Sequence, residues 1–170
     1  VGIIGRNGAG KSTLIRTLAR LQDSLAGRIV LHQKPIEQHT DLERATVQSV
    51  VLTNQNISLN LSIKELVTLG RQPYTNWLGT LTQTDRDCIT NAITRTDLSA
   101  LQERKLHTLS DGQLQKALIA RAIAQDASLI ILDEPLSHLD LHHKSSILKL
   151  LKSLSEGDKA IVFTTHDISF

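Results

Sequence analysis

The chain has 170 residues, 40% of them hydrophobic and 21% charged, with a formal net charge of +2. That length suits one domain with a substantial core, and the balance excludes a disordered polyelectrolyte. Lysine and arginine gather in no basic cluster, so no nucleic-acid partner is expected, and no apolar run approaches the roughly 18 residues that cross a bilayer.

In chain order, Val1–Ile4 is a short apolar run that reads as a buried strand. A Gly-rich turn follows, then the amphipathic helical pattern "KSTLIRTLARL". After Gly27, "RIVL" predicts a strand and "LHQKPI" a turn; "ATVQSVVLT" is a third β-rich run, ending at Asn54 and Gln55. From Ser62 to about His107 the pattern is helical, in "SIKELVTLG" and "TQTDRDCITNAITRTDL", with a loop "RQPYTNWLG" between them. Cys88, the single cysteine, reads as a small helix residue, and one thiol without an internal partner fits a reducing compartment. A helix is predicted from about Asp111 to Gln125, a strand at "LIIL", a helix over "LHHKSSILKLLKSLS" and a last strand at "AIVFTT". Strands alternating with helices predict an α/β domain with a mainly parallel sheet, whose ligand sits outside the carboxyl ends of the strands. The expected division is a core of residues 1–55 and 109–170 with an inserted helical subdomain at about 56–108. The chain contains no Met and opens on an apolar strand, which leads us to expect an excerpt truncated at both ends.

Gly5 to Ser12 fits the phosphate-loop pattern G-x-x-x-x-G-K-[ST] in its required context, between a strand and a helix. Gly5, Gly8 and Gly10 let the backbone curl with its N–H groups inward, and the dipole of the following helix favours an anion. Lys11 is a mobile charge for β- and γ-phosphates, and the Ser12 hydroxyl suits Mg²⁺. The predicted nucleotide-binding set also includes Arg6, Asn7, Ala9 and Thr13. Asp133, ending a hydrophobic strand, is placed to face the same metal. Its neighbour Glu134 is the candidate general base for water, since side chains alternate along an extended chain.

"LSDGQ", at 109–113, pairs Ser110 with Gln113 at capping-box spacing. Capping leaves Gly112 unaccounted for, because glycine is a poor helix former in a first turn. A glycine there permits close backbone approach, and free N–H groups at a helix start bind anions.

Here the sequence resembles the ATP-binding cassette (ABC) ATPases. "LSDGQ" looks like their signature motif, "GRNGAGKS" their phosphate loop, "LIILDEP" their metal and base motif, "SHLD" (137–140) their D-loop and "TTHD" (164–167) their switch motif. The five stand in the family's order and cover nearly the whole chain. The resemblance implies a P-loop NTPase core with a helical subdomain, Mg²⁺-dependent ATP hydrolysis, and a second copy forming a dimer around two nucleotides. Ser110, Gly112 and Gln113 would then reach ATP held by the other copy. Gln55 would contact Mg²⁺ and water and sense the transporter, His166 would hold the γ-phosphate, and Asp140 would signal between the two sites.

"SIKELVTLGRQPYTNWLG" resembles the corresponding stretch of ATPases that serve importers of ferric siderophores, haem and cobalamin. This implies a motor subunit on the cytoplasmic face of the plasma (inner) membrane, partnered by transmembrane permease subunits and, indirectly, by a periplasmic or lipoprotein substrate-binding protein. Tyr74 and Trp77 are then either loop packing or a contact with a permease. The alternative is a non-transport relative, such as a twin-cassette translation factor acting on ribosomes. The chain departs from the family pattern at Asp111, in place of a glycine, which is expected to point away as a first-turn acid. Leu136, His138 and Gln33 depart as well, and the adenine-stacking aromatic upstream of the phosphate loop is missing. His142 and His143 read as a solvated helix start.

Overall fold

The computed structural model describes residues 1–53 and 57–166, in which six strands occur: β1 (Gly2–Ile4), β2 (Val30–Leu31), β3 (Lys34–Pro35), β4 (Gln48–Val51), β5 (Leu129–Leu132) and β6 (Ala160–Thr165). Four of them form one parallel sheet in the order β1–β6–β5–β4. In the centre of this sheet Ile130, Ile131 and Leu132 are buried, as a parallel strand covered on both faces requires. Period-2 alternation divides them. Ile130 and Leu132 join one apolar cluster with Val51, Ile119 and Ile147, whereas Ile131 joins Ile15 and Ala19 on the opposite face.

The helices are α1 (Lys11–Leu18), α2 (Asp41–Val47), α3 (Ile63–Thr68), α4 (Gln83–Arg95), α5 (Asp111–Ala124) and α6 (Leu141–Ser155). Their starts follow from sequence. Thr40, Ser62, Thr82 and Ser110 each close a capping box with the residue three positions on, and Asp140 caps α6 through the His143 backbone N–H. Only α1, among these six, has no side-chain cap: Gly10 precedes it with φ of 86°.

The α/β class and parallel sheet are as the alternating pattern predicts, and the stretch from 62 to 107 is helical. Three local expectations change. Residues 45–47 of the β-rich run end α2, because the Thr40–Glu43 capping box nucleates a helix there and β4 begins only at Gln48. The turn after "RIVL" is a two-residue hairpin loop into β3, with His32 and Gln33 both at positive φ (48° and 64°). Two such residues match the right-handed twist of paired strands, and here neither is glycine. The expected loop "RQPYTNWLG" is, through Tyr74, a 3₁₀ helix over Leu69–Tyr74.

That 3₁₀ turn clamps the far end of α5. A Cβ on Gly70 would lie 2.4 Å from the Arg121 carbonyl oxygen, so the backbones touch. Arg71, buried, donates from Nε to Asp85 Oδ1 at 2.8 Å and from Nη1 to the Ala124 carbonyl at 2.8 Å, and its guanidinium sits 3.9 Å over the Tyr74 ring. The last carbonyls of a helix lack intrahelical partners, so Arg71 satisfies one of them. Buried Ala117, Ala120 and Ala124 keep α5 slim enough for α3 and α4 to pack against it.

Candidate functional site

β1 delivers the chain to the phosphate loop. Gly8 and Gly10 lie in the left-handed region (φ 81° and 86°), where a Cβ is disfavoured. Gly5 does not: its φ is not positive, and an added Cβ would make only ordinary contacts, 3.6 Å from Ala9 and Lys11. The expectation that all three glycines serve the curl therefore narrows to two. Because α1 has no side-chain cap, the N–H groups of its first turn are not taken by a capping side chain.

A cleft of about 400 Å³ opens at this loop, lined by Asn7, Gly8, Gly10, Lys11, Ser12, Thr13, Arg16, Thr53, Asp133 and Glu134. Lys11 is buried and donates from Nζ to the carbonyls of Gly5 (2.8 Å) and Arg6 (3.0 Å). It also lies 3.3 Å from Glu134 Oε1. The Ser12 hydroxyl donates to Asp133 Oδ1 at 3.0 Å, and Thr164 Oγ1 donates to the same oxygen at 2.8 Å. The alternation that puts Ile131 on the α1 face puts Asp133 there too, which is why Ser12 meets it.

By the same alternation Glu134 would turn to the other face, but its φ is 46°. Left-handed backbone at a non-glycine residue costs roughly 1–2 kcal/mol. The Glu134 N–H donates to Thr164 Oγ1 at 2.9 Å and holds the turn. The carboxylate thereby reaches Lys11, the Ser137 hydroxyl, which donates to Oε2 at 2.8 Å, and His166, whose Nδ1 is 3.2 Å from Oε2. Burial pushes the Glu134 carboxyl up, yet the hydrogen bonds from Ser137 and Lys11 and the charges of His166 and Lys11 outweigh it, so the group is held below the ordinary glutamate value.

Sequence reasoning gave Ser137 and Thr164 no role in the site, and it named Thr53 only as a neighbour, with Asn54, that could stand in place of Gln55. Thr53 donates to the Asp133 carbonyl at 2.9 Å, and Thr164 joins both acids. The one available signal was position: both threonines lie at or just beyond strand carboxyl ends. Gln55, assigned above to metal and water, lies outside the described residues.

The signature stretch stands apart from this cleft. Ser110 Oγ accepts from the Gln113 N–H (3.3 Å) and Gln113 Oε1 accepts from the Ser110 N–H (3.1 Å), so both side chains serve the start of α5. Asp111 is exposed in the first turn. Gly112 is buried beneath the His143 ring, and a Cβ there would stand 2.2 Å from His143 Cδ2. His142 is exposed, as a solvated helix start requires, and His143, also at that start, is half-buried with one edge of its ring on Gly112. Among the described residues lining the phosphate-loop cleft are none of Ser110, Gly112 and Gln113. A second groove of about 250 Å³ joins Asp111, Leu114 and Gln115 to Glu134, Ser137 and His138.

Comparisons with known proteins agree with this geometry. Residues 1–137 match the family model described as "ABC transporter". The petrobactin import ATP-binding protein YclP of Bacillus subtilis is 43% identical over 168 residues, covering 98% of this chain and 66% of the relative. The petrobactin import ATP-binding protein FpuD of Bacillus anthracis is 38% identical over 167 residues, covering 98% and 61%. This chain thus spans about three fifths to two thirds of the length of these curated relatives. Among solved structures, the dimeric bacterial ABC transporter cassette MJ0796 superposes with a TM-score of 0.85 at 27% identity, over 98% of this chain and 74% of that one. With a phosphate loop, paired acids and a signature helix on one parallel sheet, the chain belongs to the ABC transporter family.

Proposed function

We propose that this chain is the ATP-hydrolysing part of an importer for an iron chelate (siderophore), for haem or for cobalamin. The observation that carries the chemistry is the convergence of Lys11, Ser12, Asp133, Glu134 and His166 at the carboxyl edge of the sheet. The substrate class rests on likeness to petrobactin import ATP-binding proteins.

ATP phosphates fit the loop backbone, the start of α1 and the Lys11 ammonium. Ser12 and Asp133 offer hard oxygen ligands 3.0 Å apart, the donor chemistry Mg²⁺ prefers, with Gln55 a third candidate. When bound, Mg²⁺ would neutralise charge on the β- and γ-oxygens. Glu134 accepts a proton from the attacking water as the water oxygen bonds the γ-phosphorus and ADP departs. His166 orients Glu134 and faces the transferred group. Ser110, Gly112 and Gln113 act on ATP bound by a second copy, and Asp140 relays between the two sites.

The likeness to import ATP-binding proteins supports a proposed location at the cytoplasmic face of the membrane, held there by transmembrane permease subunits; among the described residues no helix is long and apolar enough to cross a membrane. Trp77, 92% exposed in the loop after the 3₁₀ turn, is the proposed permease contact. A substrate-binding protein would deliver the chelate from outside. Purification of the tagged full chain from its native membranes tests this. A co-purifying polytopic permease is expected; ribosomal proteins without a permease would overturn the transport reading and leave the ATPase chemistry.

A further inference from the structure

Two helix starts meet at His143. Asp140 Oδ1 accepts from the His143 backbone N–H at 2.8 Å and so caps α6. Both Asp140 carboxylate oxygens also lie 2.9 Å from His143 Nδ1. An imidazole facing a carboxylate through Nδ1 carries its proton on that nitrogen. The ring is therefore held at two levels, by the backbone of the first turn and by its own N–H. Its other edge lies on Gly112: Cδ2, Cγ and Nε2 stand 2.2, 2.6 and 2.9 Å from where a Cβ would be. Only glycine leaves room for the ring, which accounts for Gly112 independently of any phosphate.

We propose that His143 is a positioning residue for ATP hydrolysis, a spacer that locks Asp140 to the N-terminus of α5, so that displacement of the D-loop displaces the signature residues Ser110 and Gly112. The inference rests on the proposed ATPase reading. In one chain the phosphate-loop cleft is built without His143, so ATP affinity is set elsewhere. What His143 governs is the alignment of α5 toward the second copy. Its loss affects turnover and spares nucleotide binding.

The test uses the full chain assembled with its permease. His143→Ala is expected to lower kcat about tenfold, the scale of losing one charge-assisted hydrogen bond, while KM for ATP stays within about twofold. His143→Gln, whose carboxamide can donate to Asp140 and overlie Gly112, is expected to recover most of the rate. Thermal unfolding supplies a double-mutant cycle: Gly112→Ala should lower Tm markedly beside His143 and much less in the His143→Ala background. Unchanged kcat in His143→Ala, parallel changes in kcat and KM, failure of Gln to rescue, or additive Tm losses would each overturn the inference. A wild-type assembly without ATP hydrolysis would remove the ATPase reading, and this inference with it; normal wild-type hydrolysis that ignores His143 would overturn the inference alone.

Discussion

The ammonium of Lys11 lies 3.3 Å from the carboxylate of Glu134, so the cation suited to phosphate and the base suited to water face each other across one cleft. Lys11 is buried and its two carbonyl partners belong to its own loop, which keeps the charge aimed into that cleft. Lys11→Ala is expected to weaken ATP binding roughly 10- to 150-fold, taking about 1.5–3 kcal/mol for hydrogen bonds to a charged group. Titration with a fluorescent ATP analogue reads this directly. Affinity within twofold of the wild type would remove Lys11 from phosphate binding.

Thr164 is fully buried and bridges the acids, donating to Asp133 and accepting from the Glu134 N–H. Thr164→Val keeps the shape and leaves that N–H without its acceptor, at a cost of about 1–3 kcal/mol. Urea unfolding should show the loss, and kcat should fall because the left-handed turn at Glu134 loses its support. A variant with native stability and turnover would contradict this role.

The Arg71–Asp85 pair predicts an acid-side stability change. Hydrogen bonds from Thr82, side chain then backbone, lower the Asp85 carboxyl; burial opposes them, Arg71 adds to them, and the result is about 2. An unfolded Asp titrates near about 3.9, so the folded value is depressed and the ionised form stabilises the fold. That contribution is complete above about pH 4 and is lost as pH falls toward 2. Stability measured against pH should fall more steeply in this window for the wild type than for Asp85→Asn. At neutral pH Asp85→Ala strands a buried guanidinium and should cost about 3–5 kcal/mol. Equal acid slopes in the two proteins would contradict the assignment.

Trp77→Ala separates fold from coupling. An indole 92% exposed contributes little to the fold, so stability should change by less than about 0.5 kcal/mol. Chelate uptake by vesicles carrying the permease should drop severalfold while ATP hydrolysis by the detached subunit is unchanged. Uptake equal to the wild type would exclude Trp77 from the permease contact.

The β5 strand and its acids were legible because a four-residue apolar run followed by Asp133 and Glu134 leaves few alternatives in an α/β chain. The phosphate loop was legible because its spacing encodes backbone curvature. Tertiary relations were not. Nothing local says that the Gly70 backbone touches Arg121, or that Gly112 is small because a histidine 31 positions later lies on it. The β-rich run at 45–53 misled because β-branched Thr46 and Val47 favour strands in isolation, whereas the Thr40–Glu43 box starts a helix upstream. The turn at Glu134 was equally hidden, since the Thr164 hydroxyl that accepts its N–H is delivered by β6 from 30 positions later.

The central claim is that Glu134 removes the proton from the water that splits ATP. Phosphate release by the full chain with its permease, compared with Glu134→Gln at saturating Mg²⁺ and ATP, tests it most directly. The account predicts unchanged ATP binding and hydrolysis at least ~100-fold slower, the scale of losing a general base. Near-normal turnover in Glu134→Gln would contradict it.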